Sequence, residues 1–187
     1  VDANDYINAA RLFSEALPHV EAIAEKESED YVDLLVWLSL VYDDLNQKDK
    51  SLNYNLQACA IYELSRSPGD KDLLSRIHTI ARTYKFLNDY PSALKWYRRF
   101  FAEEKNNQEA PHEYHGLALS GLADVLLETQ QYREALSLLN DARTHYQQHP
   151  PEDPMEIELM NSLRTRATFM AGEWTDGVRF LNEQLIA

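Results

Sequence analysis

Tyr90-Pro91-Ser92-Ala93-Leu94 and Tyr132-Arg133-Glu134-Ala135-Leu136 are one phrase written twice, 42 residues apart. Each opens on an aromatic residue, places a small residue three positions on and follows it with an apolar one. Tyr6-Ile7-Asn8-Ala9-Ala10 and Trp174-Thr175-Asp176-Gly177-Val178 repeat it, and Lys48-Asp49-Lys50-Ser51-Leu52 is a degenerate copy. The small residues fall at 9, 51, 93, 135 and 177, each 42 from the last. A period of this length is the signature of a repeat architecture, in which one supersecondary unit is copied along the chain.

The flanking positions keep the register. Nine residues before the small one stand Tyr42, Tyr84, Leu126 and Thr168, and three before those Ser39, Ala81, Ala123 and Thr165. Four residues after it stand Phe13, Asn55, Tyr97, Leu139 and Leu181, and seven after it Ala16, Ala58, Phe100, Ala142 and Gln184. Spacings of three, four and seven put these side chains on one face of a helix. Two helices per repeat follow, packed antiparallel. Small residues let the backbones approach, and large aromatics fill the space between hairpins. No hairpin buries its own apolar face, so several must stack to form a core.

Punctuation agrees. Ser67-Pro68-Gly69-Asp70 breaks a helix and offers Asp70 as the next N-cap. Pro111 stands at a helix start, and Asp153-Pro154 reads as an N-cap followed by proline at the first helical position. Asn88-Asp89-Tyr90-Pro91 and Thr129-Gln130-Gln131-Tyr132 are the tight turns inside hairpins. The pattern predicts nine helices, near 4–17, 30–46, 49–66, 71–87, 91–105, 112–129, 132–148, 155–171 and 174–186.

Composition excludes several classes of function. The 187 residues are 44% hydrophobic and 26% charged with only 5 Gly, which suits a helical globular chain better than a turn-rich β fold. A formal charge of −13 argues against binding phosphate backbones or anionic membrane surfaces. No apolar run approaches the ~20 residues that span a bilayer, and no secretory signal is visible. The start of the chain inside a helical pattern reads as a piece cut from a longer protein. Cys59 is the only cysteine, so an intrachain disulfide and a multi-cysteine zinc site are both excluded. A reducing, cytoplasmic setting is the expectation.

The repeat resembles the tetratricopeptide (TPR) family, carried best by Ile77, Ile80, Ala81, Tyr84, Asn88, Tyr90, Ala93, Leu94, Tyr97 and Phe100. Leu119, Leu122, Ala123, Leu126, Tyr132, Ala135, Leu136, Leu139 and Ala142 form the next copy. The family's usual period is 34 residues. At 42, each hairpin carries about two extra helical turns, as in kinesin light chains and in the repeat domains of some bacterial regulators. The resemblance implies an all-α, right-handed α-α superhelix. It is read as one array over 1–187: a truncated second helix in 1–27, repeats at 28–69, 70–111 and 112–153, and an atypical last repeat at 154–187. Lys48 stands where an aromatic is expected, Asn55 where a large apolar residue is, and Arg164 and Gln184 also break the pattern. The first helix, with Tyr6, Phe13 and Leu17, is expected to leave sticky surface and to allow self-association through exposed array ends.

Candidate chemistry is sparse. His112 with His115, and His145 with His149, have spacings that could aim two imidazoles together, but too few further ligands accompany them. The acidic run Glu25, Glu27, Glu29, Asp30 lacks the spacing and glycine of a calcium loop. No nucleophile elbow or phosphate loop is present. The reading is therefore no enzyme, no cofactor and no metal.

That leaves surfaces. In the TPR family the first helix of each pair lines a concave groove. By alignment its outward positions here are Asp33, Val36, Trp37, Leu40, Asp43 and Asp44, then Ser75, His78, Thr79, Arg82, Lys85 and Phe86. Leu117, Ser120, Gly121, Asp124, Leu127 and Glu128 follow, and then Ser162, Arg166, Phe169 and Met170. Val36, Trp37 and Leu40 replace the family's carboxylate clamp, so a chaperone-tail adaptor is not supported. The residues expected to line the partner-binding groove are Trp37, Leu40, His78, Arg82, Lys85, Phe86, Asp124 and Glu128. The competing structural reading buries Trp37 in the array and pairs Arg82 with Asp124. The function implied is a scaffold or adaptor that holds a peptide or protein segment. The alternative is a regulatory or sensor domain of a larger signalling or transcription-regulating protein, its groove filled intramolecularly.

Overall fold

The computed structural model describes residues 3–23, 28–106 and 113–172. Among them are eight α-helices and no strand. They are α1 (Ala3–Ile23), α2 (Glu29–Asp44), α3 (Lys48–Ser65), α4 (Lys71–Phe86), α5 (Tyr90–Glu104), α6 (His115–Glu128), α7 (Tyr132–Gln148) and α8 (Met155–Met170). The expected ninth helix near 174–186, with Trp174, Gly177, Leu181 and Gln184, lies outside the described residues, as do His112, Pro111, Glu25 and Glu27. The first helix runs to Ile23 rather than 17, with Pro18 inside it. Proline removes one backbone donor from a helix, yet the helix continues past it here.

The chain divides into two compact units, Val1–Ala110 and Pro111–Ala187. In the first, α1 packs on α2, α2 on α3, α3 on α4 and α4 on α5. In the second, α6 packs on α7, and α8 rests on both. Three tight turns make the hairpins α2–α3, α4–α5 and α6–α7. Each rests on one residue of left-handed backbone: Asn46 (φ 55), Asn88 (φ 59) and Gln130 (φ 62). Gly172 (φ 81) ends α8 in the same way, so the four positions fall 42 residues apart. The amides that follow cap the helices. Asn46 donates to the Asp43 carbonyl and Gln47 to that of Tyr42, Asn88 to Lys85 and Asp89 to Tyr84, Gln130 to Leu127 and Gln131 to Leu126. These paired bonds satisfy carbonyls that the helix end would orphan.

Helix starts follow the sequence signals. Asp70 accepts from the amides of Asp72 and Leu73, Ser28 from that of Tyr31, and Asp89 from that of Ser92. α8 starts one residue later than the signal: Pro154 is its N-cap rather than its first residue, and Asp153 Oδ1 accepts from the Met155 amide at 2.9 Å.

The register positions make the core. Ser51, Ala93 and Ala135 are fully buried, as are Ala58, Ala81, Ala123, Ala142, Phe100 and Leu139. Tyr97 and Asn55 are almost so. Where the pattern breaks, polar partners replace packing. Asn55 donates to the Ser51 carbonyl at 3.2 Å and accepts from Arg76 Nη1 at 3.1 Å. Lys48, in the aromatic slot, reaches Asp43 Oδ1 at 2.6 Å and lies over the Phe86 ring, 4.7 Å from its centroid. Arg164 donates to Asn140 Oδ1 at 2.8 Å. On α1, Phe13 and Leu17 are half-buried, whereas Ile7, Leu12 and Ile23 are exposed.

Candidate functional site: the face of α2 and α4

Helical spacing puts Glu29, Asp33, Val36, Leu40 and Asp43 on one face of α2, and Asp72, Ser75, Thr79, Arg82 and Phe86 on one face of α4. Both faces line two hollows. The larger, about 650 Å³, lies where α2 and α4 begin and is walled by Glu29, Asp33, Val36, Asp72, Ser75 and Arg76, with Tyr62 and Arg66 from α3 and its end. The smaller, about 160 Å³, lies where they end, between Asp43, Lys48, Arg82, Thr83, Lys85 and Phe86. Because the starts of both helices meet in one hollow and their ends in the other, α2 and α4 run parallel, with a groove between.

The two ends differ in charge. At the far end Asp43 is shared: Arg82 Nη2 reaches its Oδ2 at 3.1 Å while Lys48 holds Oδ1. One carboxylate thus serves two cations beside a phenylalanine ring that is 62% exposed. At the near end three carboxylates face two guanidiniums. Arg66 reaches Glu29 at 3.6 Å and lies over the Tyr62 ring, and Arg76 is drawn toward Asn55. The Tyr62 hydroxyl feels this mixture: burial pushes its pKa up, and Asp72 and Asp33 add to that against Arg76 and Arg66.

The expected groove residues divide. Trp37 is 54% exposed, with its ring 6.4 Å from that of Phe13, so it is not packed into the core. Leu40 is exposed on the same stretch of α2, and Arg82, Lys85 and Phe86 line the small hollow. His78 does not face outward. It is 7% exposed and meets Tyr97 and Phe100 edge-on at 6.2 and 6.1 Å. The reason is that α4 lies between α3 and α5 and buries a wide arc, Leu73 through Thr83, leaving only a narrow stripe free. Asp124 and Glu128 belong to the second unit. There Arg166 Nη1 reaches Glu128 Oε1 at 2.8 Å and Asp124 Oδ1 at 3.9 Å, an attachment of α8 to α6. Arg82 makes its ion pair with Asp43 of the preceding first helix. Ser120, Gly121 and Leu127, expected to point outward, are buried.

Sequence reasoning missed Lys48, Arg66, Arg76 and Asp72 as lining residues. Lys48 carried a signal, because a cation in an aromatic slot needs an acid nearby. Arg66 and Arg76 carried none, since they come from the end of the second helix and from the edge of the first.

Other chemistry is limited. Cys59 is buried and its thiol is pushed up to about 12, first by burial and then by Glu63. His145 lies between His115 and His149, at 4.7 and 5.0 Å between ring centroids. No group of three or more His, Cys, Asp or Glu among the described residues could hold a metal ion. No helix among them is long and apolar enough to cross a membrane.

No protein-family profile and no curated protein matches the chain. Solved structures do. The chain is similar to a Podosopora anserina protein described as a putative kinesin light chain with nearly identical TPR-like repeats, at 16% identity, with a TM-score of 0.77, over 96% of this chain and 85% of that one. A point-substituted form of the same protein gives a TM-score of 0.79 at the same identity and coverage. BtubC (BKLC) from P. vanneervenii gives 0.80 at 15% identity, over 96% of this chain and 71% of its own. The chain has the all-α fold of TPR-like repeat solenoids.

Proposed function

We propose that this chain is a non-catalytic interaction module, with a scaffold or adaptor role, that holds a peptide or protein segment against the face of α2 and α4. The observation that carries the reading is the exposure of Trp37 and Leu40 on α2 and of Phe86 on α4, with Phe86 lining the far hollow and Trp37 toward the α1 side, beside Phe13. Large aromatics left in water on a surface beside charged groups are the residues that become binding hot spots. Arg82 and Lys85 add orientation at the far end of the groove. The reading sets the module in the cytoplasm, where a lone buried thiol such as Cys59 stays reduced.

The test uses a random peptide library displayed on phage and selected against the chain. Enriched peptides are measured by fluorescence anisotropy on the wild type and on a Trp37→Ala/Phe86→Ala variant whose melting temperature has been checked. Affinity is expected to fall on the order of tenfold or more, the loss of two hot-spot side chains. Enriched peptides that bind both proteins equally would remove this face as the site.

A further inference from the structure

The groove between α2 and α4 is polar at both ends with opposite excess charge, and apolar along Val36 and Leu40 between them. The near hollow holds Glu29, Asp33 and Asp72 against Arg66 and Arg76. The far hollow is lined by Lys48, Arg82 and Lys85 together with the carboxylate of Asp43. A uniformly acidic or uniformly basic segment would meet its own charge at one end. Like-charge juxtaposition at an interface is disfavoured and selects against such partners.

We propose that the occupant is an extended peptide segment with an ordered charge pattern: a Lys or Arg in the hollow of Asp33 and Asp72, apolar side chains over Val36 and Leu40, and an Asp or Glu at Lys48 and Arg82. This rests on the reading of the groove as a binding face and adds the chemistry of the partner to it. The geometry also sets the spacing. Asp33 and Asp43 lie ten positions apart on one helix, so they are about 15 Å apart along it. An extended chain rises about 3.3 Å per residue and covers that distance in four to five residues. The partner therefore carries opposite charges four or five positions apart with apolar residues between.

The cation's place is the better defined end. The near hollow is large enough, at about 650 Å³, for a lysine or arginine stem, and the buried Tyr62 ring forms part of its wall. Arg66 already lies over that ring at 5.5 Å, so the incoming cation contacts Asp33 and Asp72 rather than displacing it. At the other end the incoming carboxylate meets Arg82 and Lys48, two cations that share the carboxylate of Asp43.

The experiment uses the full chain and four synthetic fluorescein-labelled peptides with the same apolar middle: basic–acidic at four residues' separation, basic–acidic at two, all-acidic and all-basic. Each is measured against the wild type and an Asp33→Lys/Asp72→Lys variant of verified melting temperature. The wild type is expected to prefer the basic–acidic peptide at four residues' separation by on the order of fivefold or more. The charge-reversed variant is expected to lose that preference and to favour the all-acidic peptide. An all-acidic or all-basic peptide that binds the wild type as tightly as the ordered one overturns the proposal, as does a variant with unchanged preferences. The library selection separates this from the function itself. Peptides that depend on Trp37 and Phe86 but show no charge order sink the inference and leave the binding face standing. If no enriched peptide depends on those two residues, both fall.

Discussion

Arg76 Nη1 donates to Asn55 Oδ1 at 3.1 Å, and this contact restores at one position what the repeat pattern lost. The register asks for a large apolar side chain where Asn55 stands, as Tyr97 and Leu139 provide one and two repeats on. Asn55 is instead buried and held at both ends of its amide. Replacing it with alanine removes both bonds and leaves a void, at a cost of about 1–3 kcal/mol. Asn55→Leu fills the space and is expected to cost less. Thermal unfolding of the two variants checks the order. A leucine variant less stable than the alanine variant would show that the amide, not the volume, is what the site needs.

Ala93 tests the register itself. Its side chain is fully buried on α5, which packs on α4, in the phrase that opens the second helix of the hairpin. Ala93→Leu overpacks that position, at about 1–3 kcal/mol, and lowers the melting temperature by roughly 2–4 °C per kcal/mol for a chain of this size. An unchanged melting temperature would contradict the close approach of the two helices.

Small residues such as Ser51, Ala93 and Ala135 were legible in the sequence because a helix crossing admits nothing larger, so the constraint is written in residue size. Trp37, Leu40 and Phe86, all three exposed, were legible as outward positions only through the alignment to the repeat family, and for Trp37 only as one of two readings. His78 was not, because α4 is covered on two sides, and phase does not report how wide a buried arc is. The length of α1 was misread for a related reason. Pro18 lowers the propensity of one turn, and the helix nevertheless runs on to Ile23. The shared role of Asp43 was illegible because it joins residues of three helices.

Gln130 carries a left-handed backbone that its equivalent Gly172 adopts without a Cβ. Such a conformation costs an L residue about 1 kcal/mol. Gln130→Gly is therefore expected to leave stability unchanged or to raise it by up to about 1 kcal/mol, whereas Gln130→Val lowers it, since a β-branched side chain is least tolerated there. Chemical denaturation distinguishes the two. A glycine variant markedly less stable than the wild type would mean that the glutamine side chain itself holds the turn.

Tyr146 and Glu156 carry a pH dependence. The Tyr146 hydroxyl donates to Glu156 Oε2 at 3.0 Å, and the ring closes over Gly116, where an added Cβ would clash with it. Burial raises the Glu156 pKa above its ordinary 4.5, with Asp153 adding to the rise and the tyrosine's hydrogen bond opposing it. The folded state then holds its proton more tightly than the unfolded state. Stability attached to this group is present below pH 4.5 and falls as pH rises through the elevated value. Glu156→Gln keeps an acceptor for Tyr146 and removes the titration. Its melting temperature relative to wild type is expected to rise with pH across that window and then level off. A constant difference at every pH would rule out a burial cost at this carboxylate.

The claim that α2 and α4 form the binding face is tested most directly by amide NMR of the 15N-labelled chain titrated with a peptide selected on it. The largest shift changes are predicted at Val36–Asp44 of α2 and Thr79–Leu87 at the end of α4, and they are predicted to disappear in the Trp37→Ala/Phe86→Ala variant. Saturable shifts confined to α5 or α7, with those two stretches silent, would contradict it.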